Sequence, residues 1–223
     1  MKLYALLIPL FLLGIWKAIS SKELPVSKRT FMYCAPSFDP DIWKKGDAPL
    51  LKGLGKTHYK VNTRSAKAQQ FFDQGLTLTY GFNHGEAYRS FKTTLKHDST
   101  CAMAYWGIAM VLGPNYNAPL IPASLADINA AIDNAVKYSE GGSPEEKALI
   151  HTMTKRFPKE EVKDMTPYYE AYAQALKEAH LQFPADMDIA TIYADALMNL
   201  HPWDLWLKGG TPQAGHSKDC STA

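Results

Sequence analysis

The residues with the right types to do chemistry are few and thinly spread. In Asn83-His84-Gly85-Glu86 an imidazole and a carboxylate sit two positions apart at the start of a helical pattern, a spacing that could share a metal ion. Two ligands fall short of the three or four protein donors of a usual first shell, and Glu86 three residues after Asn83 also reads as the reciprocal partner of a capping box. His84 is therefore a weak metal candidate whose further ligands would come from elsewhere. His97 and Cys101 are four apart, but Asp98-Ser99 separates two helical patterns there, so they share no helical face. Asp186 and Asp188 resemble a calcium pair without the glycine-centred twelve-residue loop, and acids in a first helical turn are explained by capping and the helix dipole. His151, His180 and His201 fall on separate helices. The sequence contains no G-x-S-x-G, H-E-x-x-H, G-x-G-x-x-G or phosphate-cradling glycine loop, so no catalytic residue is assigned and the expectation leans away from an enzyme.

The elements that would position these residues are helices. From Ser65, apolar or small residues recur at three and four residue steps through Ala68, Phe71, Phe72, Gly75, Leu76 and Leu78, which predicts an amphipathic helix ending near Gly81. Asn83 opens a second helix carrying Ala87, Phe91 and Leu95. Phe71, Gly75 and Leu78 return thirty-four residues later as Tyr105, Ala109 and Leu112, which is the tetratricopeptide period. Ser124 opens a further helix with Leu125, Ile128, Ile132 and Ala135 inward. Ser143-Pro144-Glu145-Glu146 is a capping box with proline at the first helical position, Thr166-Pro167 starts the next helix, and Asp186 caps the last, which runs to Leu200. The expected fold is all-α: a tetratricopeptide-like solenoid of helical hairpins over residues 65–200, three pairs and one unpaired helix.

Two segments flank it. After Met1 and Lys2 an apolar run from Tyr4 to Trp16 is followed by Lys17 and small residues, the pattern of a signal peptide over residues 1–20. The run is too short for a spanning helix of ~20 apolar residues, so no stable membrane span is expected once the leader is removed, and the mature chain is placed in a periplasm or outside the cell. There Cys34 and Cys101 could oxidise. Residues 21–64 are rich in Pro, Gly and Lys without periodicity and read as an extended arm; 201–223 read as an irregular tail.

Charge narrows the partners. The 223 residues carry 24 basic and 22 acidic side chains, and the loss of Lys2 and Lys17 with the leader would leave them balanced. That is no electrostatic footprint for nucleic acid. Three scattered cysteines rule out a disulfide-dense scaffold and a cysteine-built zinc site. What stands out is a row on the first helix of each pair, on the edge that lines the groove of such solenoids: Phe72, Leu76 and Tyr80, then Met103, Trp106 and Met110, then Thr191, Asp195 and Met198. Aromatic and methionine side chains there suit a peptide or helix ligand; the competing reading has them buried against the arm or against further repeats. Tyr193, Leu197 and Met198 on the last helix are expected to be uncovered, which predicts self-association or fraying and reads as a chain cut short.

The strings Phe71-Phe72-Asp73-Gln74-Gly75-Leu76, Tyr80-Gly81-Phe82-Asn83-His84-Gly85-Glu86-Ala87, Cys101-Ala102-Met103-Ala104-Tyr105-Trp106-Gly107, Gly113-Pro114-Asn115-Tyr116-Asn117, Tyr193-Ala194-Asp195-Ala196-Leu197-Met198 and Pro202-Trp203-Asp204 resemble the exported bacterial tetratricopeptide-repeat proteins, over about residues 53–206. Members of that set are about twice as long, with histidine-rich helices in their second half, and the tail from Gly209 departs from them. The resemblance adds no defined biochemical activity; the groove row and the helical-hairpin pattern carry the reading of a binding or assembly module for a protein or peptide, with no catalysis or cofactor of its own. The alternative is a protein that binds copper, iron or zinc through His84 and groove residues such as Met103, Met110 and Asn117, or the non-catalytic part of a longer metalloenzyme.

Overall fold

The computed structural model describes residues 43–213. All lie in the second of the two compact units into which the chain divides, residues 35–223; the expected leader, Cys34 and the first half of the arm fall outside the described residues. Seven α-helices carry the described fold, with no strands among these residues: α1 Ala66–Tyr80, α2 His84–His97, α3 Ala102–Leu112, α4 Leu125–Tyr138, α5 Pro144–Arg156, α6 Thr166–Gln182 and α7 Met187–Leu200. The all-α, helical-hairpin expectation holds.

Local chemistry starts these helices much as the sequence suggests. Ser65 Oγ accepts from the Ala68 N–H at the head of α1, and Ser143 and Glu146 close a full capping box on α5. The Asp186 carboxylate accepts from the N–H groups of Asp188 and Ile189, so it is a cap. The box expected at Asn83 is only half made. Asn83 Oδ1 accepts from the Glu86 N–H at 3.4 Å, but the Glu86 carboxylate turns outward to pair with Arg89.

Consecutive helices pack on one another, and α3 also touches α1 and α5. That central position explains why every α3 residue except Tyr105 is buried, a helix apolar all round rather than along a stripe. The wedge that joins α1, α2 and α3 is Phe91. A Cβ placed on Gly75 of α1, or on Gly107 of α3, would lie 2.6 Å from its ring, so two glycines from different helices leave the slot that the ring fills. Phe72 completes the slot with ring centroids 5.6 Å apart.

Gly75→Leu should therefore cost about 3 kcal/mol, since the ring it would strike is itself fully buried. Gly85, in the first turn of α2, is a different case. In an open first turn, alanine would be the better helix former; here a Cβ on Gly85 would meet Cδ1 of the buried Trp43 indole at 2.9 Å. Gly85→Ala should destabilise by about 1 kcal/mol instead of stabilising. Urea midpoints of the two variants check both the order and the sign.

The end of the helical region also differs from expectation. Tyr193 and Leu197 are buried, with Tyr193 stacked at 6.0 Å on His180 of α6, and Met198 is half-buried. The apolar stripe of α7 is thus covered by α6, which removes the physical basis for fraying or self-association through that stripe. Beyond α7 the described tail makes a tight turn in which Trp206 and Pro212 form an isolated antiparallel bridge. Trp203, at φ 62°, lays its exposed ring 5.3 Å from Tyr116.

Candidate functional site

The row expected to line a groove is largely closed to solvent. Phe72, Leu76, Met103, Trp106 and Met110 are buried in the core, so they correct the reading of an open aromatic and methionine surface. Tyr80, Asp195 and Met198 are half-buried, and Thr191 is exposed. Groups from other elements cover the row, among them Asp188 and Tyr59. The Tyr80 hydroxyl donates to Asp188 Oδ1 at 2.6 Å, tying the end of α1 to the start of α7 across 108 residues. Tyr59 of the arm packs its ring against Phe72, with centroids 6.4 Å apart.

Behind that row the structure assembles a polar centre that the sequence did not announce. Arg156, the last residue of α5, is buried and makes no ion pair among the described residues. Its guanidinium donates to Met110 Sδ at 2.9 Å and to the Pro114 carbonyl at 2.7 Å. It also lies 4.7 Å from the Tyr172 ring centroid and 5.3 Å from that of Phe157. Around it stand Asp195, whose carboxyl pKa burial raises against the lowering effects of Arg156 and the Asn199 amide, and Tyr172, whose hydroxyl burial pushes up to about 12. The Arg156 side chain binds the loop after α3 to the end of α5; a lone arginine among apolar residues carries no spacing signal by which sequence could find it.

His84 belongs to the same neighbourhood. Burial above all, opposed by a bond to the Val111 backbone and helped by the nearby Arg156 charge, lowers its pKa to about 4. Nδ1 lies 3.4 Å from the Asn115 side-chain amide, and the Phe82 ring stacks on the imidazole at 6.1 Å. Phe82 adopts φ 56° to do so, a left-handed conformation that costs a non-glycine residue about 1 kcal/mol. Met110, a groove residue of the metal-binding alternative, already offers its sulfur to Arg156. Asn117 is held by its own N–H on Asn115 Oδ1. Among the described residues no group of three or more His, Cys, Asp or Glu side chains is placed to hold an ion. Cys101 is a buried free thiol, pushed by burial up to about 12, so it is shielded from oxidation in the folded state.

A definite recognition geometry lies on α1, and neither of the two glutamines that make it was given a role from the sequence. Gln74 Nε2 donates to the Pro49 carbonyl at 3.0 Å while its Oε1 accepts from the Leu51 N–H at 2.7 Å. Five residues earlier Gln69 repeats the pattern, donating to the Tyr59 carbonyl at 2.8 Å and accepting from the Val61 N–H at 3.0 Å. Each side-chain amide thus bonds the carbonyl before and the N–H after one arm residue, Leu50 or Lys60, as a residue of a neighbouring parallel strand would. Thr93 of α2 adds a fifth main-chain bond, accepting from the Ala48 N–H at 3.2 Å. The only hint in the sequence is polarity: Gln74 is buried in the middle of an apolar stripe, and a buried amide requires partners.

Among the described residues, the fold and this surface define a class, an all-α arrangement of helical hairpins whose helix α1 grips an irregular main-chain segment. No protein-family model, curated protein or solved structure matches the chain.

Proposed function

We propose that the chain is an exported, tetratricopeptide-like scaffold that binds a protein or peptide partner and performs no catalysis of its own. The observation that carries the reading is the pair of glutamines on α1, each gripping main chain through both atoms of its amide. Main-chain bonds supply affinity with little dependence on the ligand's sequence, while pockets for alternate side chains supply selectivity. The 34-residue spacing of Phe71, Gly75 and Leu78 with Tyr105, Ala109 and Leu112 supports the repeat class, and the apolar run from Tyr4 to Trp16 supports export.

An immobilised array of unrelated peptides, probed with the full chain, tests the binding reading. A sequence-related subset should be retained at micromolar affinity, and retention should fall about tenfold in a Gln69→Ala/Gln74→Ala chain that still unfolds cooperatively. Uniform weak retention, or retention indifferent to both glutamines, overturns it. Sequencing the amino terminus of exported material, with Met1 intact as the contrary result, checks the leader.

A further inference from the structure

The second glutamine clamp has a polarity and a charge that point to a particular ligand. Residues 58–62 meet α1 and α5 through five bonds. His58 Nδ1 lies 2.8 Å from Asp73 Oδ2, and the Tyr59 N–H donates to Asp73 Oδ1 at 3.2 Å. Gln69 takes the Tyr59 carbonyl and the Val61 N–H, and the Asn62 N–H donates to Glu146 Oε1 at 2.8 Å. Exposure alternates along the segment: Tyr59 is half-buried, Lys60 exposed, Val61 buried and Asn62 exposed, as in a strand that shows every second side chain to a surface. Burial first, and then the negative charges of Asp186, Glu146, Asp188 and Glu145 at the starts of α5 and α7, hold the Tyr59 hydroxyl above its ordinary value. The occupant of this acidic site is basic, Lys56-Thr57-His58-Tyr59-Lys60-Val61.

The tether to the first clamp is exposed and carries two glycines, while the far end of the segment is anchored by the Thr63 hydroxyl, which donates to Asp98 Oδ2 at 2.6 Å. Residues 52–57 are exposed apart from Leu54, and Gly53 and Gly55 take left-handed φ values of 83° and 88° with open space around them. The grip of Gln74 and Thr93 on residues 48–51 could therefore persist while residues 58–62 leave.

We infer that the α1 face formed by Gln69 and Asp73, flanked by Glu145, Glu146, Asp186 and Asp188, is a binding site for an extended partner peptide of the pattern basic–aromatic–basic–β-branched, and that residues 56–62 occupy it as a competitor in cis. This rests on the peptide-binding reading above and specifies its ligand. A tethered competitor acts at an effective concentration in the millimolar range, so a free peptide of comparable intrinsic affinity binds the resting chain only weakly, and micromolar retention requires a partner whose intrinsic affinity exceeds that of the segment.

The test uses a labelled heptapeptide with the sequence of residues 56–62 and the full chain. Fluorescence anisotropy should show binding at least about tenfold tighter to a Tyr59→Ala/Val61→Ala chain, whose own segment is weakened, than to the unaltered chain. N-methylation at the peptide's valine removes the N–H that Gln69 accepts and should weaken binding about tenfold on both chains. Replacing both peptide lysines by alanine should weaken it further at low salt and less at high salt. Binding that ignores N-methylation, or that is equal on both chains while both give the same cooperative melt, overturns the inference, as does absence of binding. Concentration-dependent dimers of the unaltered chain that the heptapeptide dissolves would place a second copy's arm in the site and also overturn it. If array peptides bind but the heptapeptide does not displace them, this inference falls and the broader reading stands; if neither binds, both fall.

Discussion

Phe91→Ala is expected to lower the unfolding free energy by about 4 kcal/mol, in the middle of the range for a buried aromatic ring. Its ring is fully buried and occupies a slot bounded by Gly75, Gly107 and Phe72. Three helices meet there, so the cavity cannot close by moving one side chain. Against a typical stability of about 5–15 kcal/mol this is a large fraction. The sharper result is a coupling. In the unaltered chain Gly107→Ala drives a Cβ to 2.6 Å from the ring and should cost about 2 kcal/mol. In the Phe91→Ala background the same substitution meets an empty slot, and the helix gains up to about 1 kcal/mol from replacing glycine. The sign of Gly107→Ala should therefore reverse, which a double-mutant cycle in urea reads directly. Additive effects would show that ring and glycine do not share the slot.

Acidification should expose His84. Burial holds its folded pKa at about 4 against the usual 6.5, so between those values the unfolded chain binds the proton and the folded chain does not. Stability tied to this group is complete above about pH 6.5 and is lost progressively as pH falls towards 4. The span corresponds to about 3 kcal/mol, an order-of-magnitude figure for a residue 8% exposed. The groups facing the ring include Arg156, the Val111 backbone, the Asn115 amide and the Phe82 ring. The cation among them opposes protonation of the imidazole. Asp195 works the other way, since a carboxyl whose folded pKa is raised loses its contribution as pH climbs through that value. Urea unfolding from pH 7 to pH 4 should show the fall in the unaltered chain and a flatter profile in His84→Asn. Parallel profiles would mean that the imidazole is already free to protonate in the folded state.

The elements themselves were legible because their signals are local. Ser65, Ser143 and Asp186 bond N–H groups two or three residues away, and such caps depend on nothing distant. The apolar stripe of α1 likewise named Phe72, Gly75 and Leu76 as inward. The 34-residue return of an aromatic, a small and a large residue pointed to helical pairs, and the consecutive helices do pack on one another. Where the reading failed, the deciding partner was far away in sequence. Gly85 looked open until Trp43 covered it, and the stripe of α7 looked bare until α6 and His180 met Tyr193.

The sequence by itself therefore determined the helices, their caps and the small residues that let them approach, since each follows from interactions within a few residues or from a repeat of like positions. The tertiary structure alone decided which faces remain open. Phe72, Leu76, Met103, Trp106 and Met110 form a plausible groove on a helical wheel, yet a wheel gives the direction of a side chain and not what stands opposite it. Opposite them stand Tyr59 from the arm, Asp188 bonded to Tyr80, and the Arg156 guanidinium on Met110. The same limit hid Gln69 and Gln74. Their amides acquire a meaning only when Tyr59, Val61, Pro49 and Leu51 arrive with an unpaired carbonyl or N–H, and that pairing belongs to the folded chain because the loop joining the two carries no local preference for it.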